Sequence, residues 1–125
     1  MGKILLFILL PISSFFGQSK DIIYRIASES NDAVGYSYNI NVLTLMEKNE
    51  YNLIQQKYVS KKFAKKNIPS RFSKTFGILN IKNDTLKLID NETKREMLFV
   101  IKKDYLIYLF NNIEPTNYHW KKVEN

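Results

Sequence analysis

A single histidine and a complete lack of cysteine bound the chemistry open to this chain. Any Ser/His arrangement must use His119, yet no serine sits in a Gly-x-Ser-x-Gly turn; the serines fall in turns and in one basic segment. His119 stands between Tyr118 and Trp120 in an alternating run. That puts it on the opposite strand face from both rings, as a surface histidine rather than a catalytic base. A metal ion needs several His, Cys or carboxylate ligands at converging spacing, and the chain has no Asp-x-Asp-x-Asp loop to offer. Paired carboxylates can do glycosidase-type acid–base work. Here Glu47, Glu50, Asp84, Asp90, Glu92 and Asp104 all fall in or beside turns, where solvated carboxylates belong. With 4 glycines in the whole chain, there is no Gly-rich phosphate loop. The expectation is a non-catalytic protein with no metal and no cofactor.

Two other sets of residues could bind something. The chain carries 8 Tyr, 8 Phe and 1 Trp. Most of these fill a core, but rings facing an unfilled interior would line an apolar pocket, with hydroxyls to orient a ligand. Tyr36, Tyr38, Tyr105, Tyr108 and Trp120 are the candidates for that lining. The second set is basic. In and beside "SKKFAKKNIPSRFS", Lys61, Lys62, Lys65, Lys66, Arg71 and Lys74 could cover an anionic surface such as lipid headgroups or acidic glycan; the competing reading is a solvated loop. The overall formal charge is +7. A Lys-, Ile- and Asn-rich composition typical of an AT-rich genome accounts for much of it.

The elements that position these side chains lie beyond the first residues, "MGKILLFILLPISSFFGQS". Lys3, an apolar block from Ile4 to Leu10, the break at Pro11 and small residues up to Ser19 have the layout of a secretory signal peptide. The apolar stretch is too short for a bilayer span, which needs about 20 residues. Cleavage within 17–19 leaves residues 20–125 as one domain, periplasmic or extracellular. Without cysteine there is no acceptor for a lipoprotein anchor, and export argues against a nucleic-acid partner.

The rest of the chain reads as short strands. Ile22 to Ala27 alternate as a first strand, with Ser28 to Asp32 as polar punctuation. "GYSYNINVLTLM" favours pleated backbone. Its apolar phase switches between Val42 and Leu43, as a bulge or a bend at a barrel corner would produce. Glu47 to Glu50 is a turn, from which "YNLIQQKYV" returns with Tyr51 and Leu53 opposite Leu45 and Leu43. Ser60 to Ser73 reads as a long loop, with at most one helical turn before Pro69. "GILNIKNDTLKLID" is a hairpin that turns on Asn83-Asp84 and buries Leu79, Ile81, Leu86 and Leu88. "REMLFVI" and "YLIYLF", joined by Lys102-Lys103-Asp104, are apolar in both phases, and "NYHWKKV" closes the series.

The pattern implies an all-β antiparallel meander of seven to eight strands. It is expected to form a small barrel or half-open barrel, since closure removes exposed edges. The element Gly77-x-Leu79-x-Ile81-x-Asn83-Asp84-Thr85-Leu86-x-Leu88 resembles a strand–turn–strand unit of small exported lipocalin-like β-domains of Bacteroidetes-type bacteria. Leu43-Thr44-Leu45-x-Glu47-x-x-x-Tyr51-x-Leu53 is similar to their other hairpin, as is the leader ending Phe16-Gly17-Gln18. Most such domains have no assigned activity, so the resemblance implies a fold and no functional residues. An apolar or amphipathic small ligand at the cell envelope is the leading expectation. A structural protein that pairs with another envelope protein through an exposed strand, best sought among Arg95 to Phe110, is the alternative.

Overall fold

The computed structural model describes residues 21–33 and 35–123, so the proposed leader lies outside the described residues. Eight strands succeed one another: β1 (Ile22–Asp32), β2 (Gly35–Met46), β3 (Glu50–Tyr58), β4 (Arg71–Lys82), β5 (Thr85–Asp90), β6 (Glu96–Ile101), β7 (Tyr105–Phe110) and β8 (Glu114–Lys122). One short helix, α1 (Lys61–Lys65), lies between β3 and β4. Each strand pairs antiparallel with its successor, and β8 returns to β1, closing a barrel in meander order. The closing seam is short among the described residues: Tyr24 pairs with Lys122 and Arg25 with Lys121, and the Val123 amide donates to the Ile23 carbonyl at 2.7 Å.

Turn chemistry explains the hairpins. Lys48 and Asn49 take positive φ in the turn between β2 and β3, and Asn83 does so between β4 and β5, while Asp84 does not. Asn111 and Asn112 share that conformation between β7 and β8. Asparagine tolerates it better than most side chains. The turn after β5 is held by Asp90, whose Oδ1 accepts from the Glu92 amide at 2.7 Å and the Thr93 amide at 3.2 Å. These two amides hold its carboxyl below the usual carboxylate range. A depressed folded-state pKa stabilises the fold above the unfolded value and loses that contribution as pH falls through the folded one. Asp90→Asn should therefore flatten the acid limb of a stability–pH curve measured by thermal melting. An unchanged acid limb would show that this turn does not report on pH.

The packed core sits at one end. Tyr24, Leu43, Leu45, Tyr51, Leu53, Leu79, Leu86, Leu88, Phe99, Leu106 and Trp120 form one buried cluster, with Ile26, Met97, Ile101 and Tyr108 packed against it. Phe99 is fully buried; its ring centroid lies 5.6 Å from those of both Tyr108 and Trp120, edge-on to the indole.

The fold corrects four of the sequence expectations. β1 does not stop at Ala27: Ser28 and Ser30 continue in register opposite Asn39 and Ser37, because this end of the barrel has a polar interior. β2 has no bulge at Val42-Leu43, since its pairing with β1 and β3 runs through both residues without a break. The irregularity is in the β7–β8 ladder, between Ile107 and Leu109. The segment Ser60 to Ser73 is a loop only in part: the helical turn expected before Pro69 forms as α1, capped by Ser60 Oγ accepting from the Phe63 amide, but β4 already begins at Arg71. Finally, Ile81 belongs to the inward phase of β4 but stands at the rim beside the turn and is 53% exposed.

Candidate functional site

Strand alternation and register set the barrel interior in rows. Leu43, Leu53 and Thr75 face one another across β2, β3 and β4. Two residues further along come Asn41, Gln55 and Ser73, and two further again Asn39, Lys57 and Arg71. On β1, Tyr24, Ile26 and Ser28 stand opposite Leu43, Asn41 and Asn39. The interior thus grades from apolar to amide to basic along the barrel axis, away from the filled end.

Where the packing stops, a cavity of about 300 Å³ opens. Ile26, Leu53, Met97 and Trp120 form its apolar wall, and Ser28, Asn41, Gln55, Tyr108 and Tyr118 contribute polar atoms. A second, more polar hollow of about 320 Å³ shares Ser28, Asn41 and Gln55 with it and reaches Asn39, Lys57, Arg71 and Ser73. The two form one recess with an apolar floor and a basic mouth. The apolar hollow alone is at the lower end of small-molecule sites, which run from about 300 to 1,000 Å³.

The irregularity in β7–β8 shapes this recess. Thr116 Oγ1 donates to the Tyr108 carbonyl at 2.7 Å and accepts from the Tyr118 amide at 3.2 Å. Those bonds replace ladder bonds lost where the register shifts, and they flank the two tyrosines that line the cavity. Bulges commonly re-aim side chains beside sites in this way.

Of the five aromatic candidates, the fold brings Tyr108 and Trp120 into the cavity wall. Tyr36 and Tyr38 are in the outward phase of β2, opposite Asn31 and Glu29. Tyr105 lies outside as well, its ring stacked on His119 at 4.9 Å. The basic candidates separate too. Lys61, Lys62 and Lys65 lie on α1 and Lys66 caps it, all exposed. Lys61 Nζ is 2.6 Å from Glu29 Oε1 and 5.9 Å from the centre of the Tyr38 ring. Its ammonium group holds the Glu29 carboxyl below the usual range. Lys74 points outward over the Phe76 ring. Arg71 alone of the six turns into the mouth of the recess.

Sequence reasoning misses Lys57 and Tyr118, although simple alternation from Leu53 and from Trp120 reaches them. It also misses Ser28, which hides inside an apparent loop. Among the described residues, no three His, Asp or Glu side chains group so as to hold a metal ion. No helix there is long and apolar enough to cross a membrane.

Fold and site together define a small, closed, eight-stranded antiparallel barrel whose interior is filled at one end and open at the other. No family model matches the chain, and no curated protein matches it. Among solved structures it is similar to the Cpx pathway activator NlpE from Escherichia coli, with a TM-score of 0.59 and 14% identity. The match covers 83% of this chain and 50% of that one, so the chain spans half the length of NlpE. At this identity the likeness shows the fold alone.

Proposed function

We propose that this is an exported, non-catalytic barrel of the lipocalin-like kind that takes an apolar or amphipathic small molecule into its interior at the cell envelope. The observation that carries the reading is the recess itself. Ile26, Leu53, Met97 and Trp120 are held around unfilled space, while the same barrel is tightly packed a few residues away. Concave apolar sites with a few convergent polar groups are the usual form of a small-molecule site. The secretory layout of residues 1–19 supports export. The likeness to NlpE supports the fold of this reading and nothing about its ligand.

The test uses residues 20–125 and a panel of single-chain alcohols, acids and sterols. Trp120 is the chain's one tryptophan and lies in the cavity wall, so its emission reports occupancy directly. Binding is expected to shift that emission and raise the melting temperature. Gln55→Phe, which fills the neck between the two hollows, is expected to weaken binding at least about tenfold, or about 1.4 kcal/mol. A panel that leaves both Trp120 emission and melting unchanged overturns the reading. A second reading would then stand, in which a partner strand pairs with the barrel. Its support is that, among the described residues, β1 is bonded to β8 at Ile23, Tyr24 and Arg25, while Ile26 onward has no ladder partner on that side. The unpaired edge is therefore on β1, rather than in the Arg95 to Phe110 region that the apolar sequence suggests.

A further inference from the structure

We infer that the ligand is an anionic amphiphile, whose single apolar chain enters the recess and whose head is held at the mouth by Lys57 and Arg71. This rests on the reading of the recess as a binding site and specifies the class of molecule it takes. Lys57 and Arg71 are directly opposite each other in β3 and β4. Residues so placed have Cβ atoms about 4.5–5.5 Å apart, and like charges there are destabilising. The strands have no local need for this pair.

Among the described residues, no acidic side chain pairs with either cation. The ion pairs among the described residues are Lys61 with Glu29 and Lys87 with Glu96, and neither engages Lys57 or Arg71. Glu29 belongs to the outward phase of β1, opposite Tyr38, so it does not face the mouth. The backbone around the two cations is nevertheless fixed. The Lys57 carbonyl accepts from the Ser70 amide at 2.8 Å and from Ser70 Oγ at 3.0 Å, pinning the start of β4 to the end of β3.

The neighbouring groups suit an anion with a chain attached. Asn39, Asn41, Gln55 and Ser73 supply amide and hydroxyl donors between the cations and the apolar wall. Their continuity with Ile26, Leu53 and Trp120 gives head and tail one path through shared Ser28, Asn41 and Gln55. A guanidinium binds a carboxylate or phosphate through two parallel hydrogen bonds, and a lysine adds a point charge. The apolar hollow, at about 300 Å³, has room for one long chain rather than two.

The experiment compares decanoate, decyl phosphate, decanol and decyltrimethylammonium below their micelle concentrations, read by Trp120 emission. Decanoate and decyl phosphate are expected to bind about tenfold or more tightly than decanol, in line with hydrogen bonds to charged groups. Their affinity should fall as salt is added. Decyltrimethylammonium should bind most weakly. Lys57→Gln with Arg71→Gln should remove the preference for the anions over decanol; both side chains are exposed, so the variant keeps its fold. Whichever anion binds more tightly identifies the head as carboxylate or phosphate. Equal binding of all four probes, or a double variant that keeps the anion preference, overturns the inference while the cavity reading stands. A panel that never moves Trp120, in wild type or variant, overturns both.

Discussion

Gly77→Ala is expected to destabilise the barrel by about 3 kcal/mol, the upper part of the range for forcing extra atoms into a packed core. Gly77 lies within β4, opposite Tyr51 on one side and Asp90 on the other. A Cβ built there would sit 2.0 Å from the Ile89 carbonyl oxygen, 2.9 Å from its carbon and 2.6 Å from Tyr51 Cε1. Two of those three atoms are backbone in the paired strand β5, so they cannot swing aside as a side chain would. The Tyr51 ring is itself buried, and that burial pushes its hydroxyl pKa up. It lies over Gly77 because only hydrogen occupies that position. Urea unfolding followed by circular dichroism measures the effect. An unshifted midpoint would mean that β4 and β5 separate more easily than their register implies.

Phe99→Ala is expected to cost about 3–5 kcal/mol, as for other buried phenylalanines cut back to alanine. The ring is fully buried where β6 faces Leu86 on one side and Tyr108 on the other. It also supports the Trp120 indole edge-on, so its loss extends the cavity towards the filled end. Against the roughly 5–15 kcal/mol that holds a typical domain folded, this is a large fraction. The same denaturation experiment applies, with Trp120 emission as a second readout expected to move to the red. Phe99→Leu conserves most of the volume and is expected to cost less than about 1.5 kcal/mol. If the two variants proved equally stable, Phe99 would not be the keystone of this end of the barrel.

Much of the architecture is legible because hairpins announce themselves locally. Lys48-Asn49 and Asn83-Asp84 sit between alternating runs, and the chain does turn at both places. The opposition of Tyr51 to Leu45 and Leu53 to Leu43 also comes from counting outward from such a turn. β6 and β7 are recognisable with their connection intact, because long runs of β-branched and aromatic residues need no partner to be identified as strands.

The site is far less legible, and β2 shows why. Tyr36, Tyr38, Ile40 and Val42 are as apolar as a core stripe should be, yet they face outward. The inward phase of the same strand runs Ser37, Asn39, Asn41, Leu43 and Leu45, polar at the mouth and apolar at the floor. Alternation says that two sets of side chains face opposite ways; when both contain apolar residues it does not say which set faces in. Ser28 is misread for the same reason, since a strand entering a polar interior looks like a loop.

The amino-acid sequence by itself determined the all-β class, the meander order of its strands, most of the hairpin turns, and the presence of one histidine and no cysteine. Those properties depend on neighbours a few residues apart. Tertiary structure alone decided which phase of each strand is enclosed, that the interior is filled at one end only, and that Lys57 and Arg71 stand side by side at the other. Each of these depends on register across strands, where a shift of one residue would exchange the inside of the barrel for its outside.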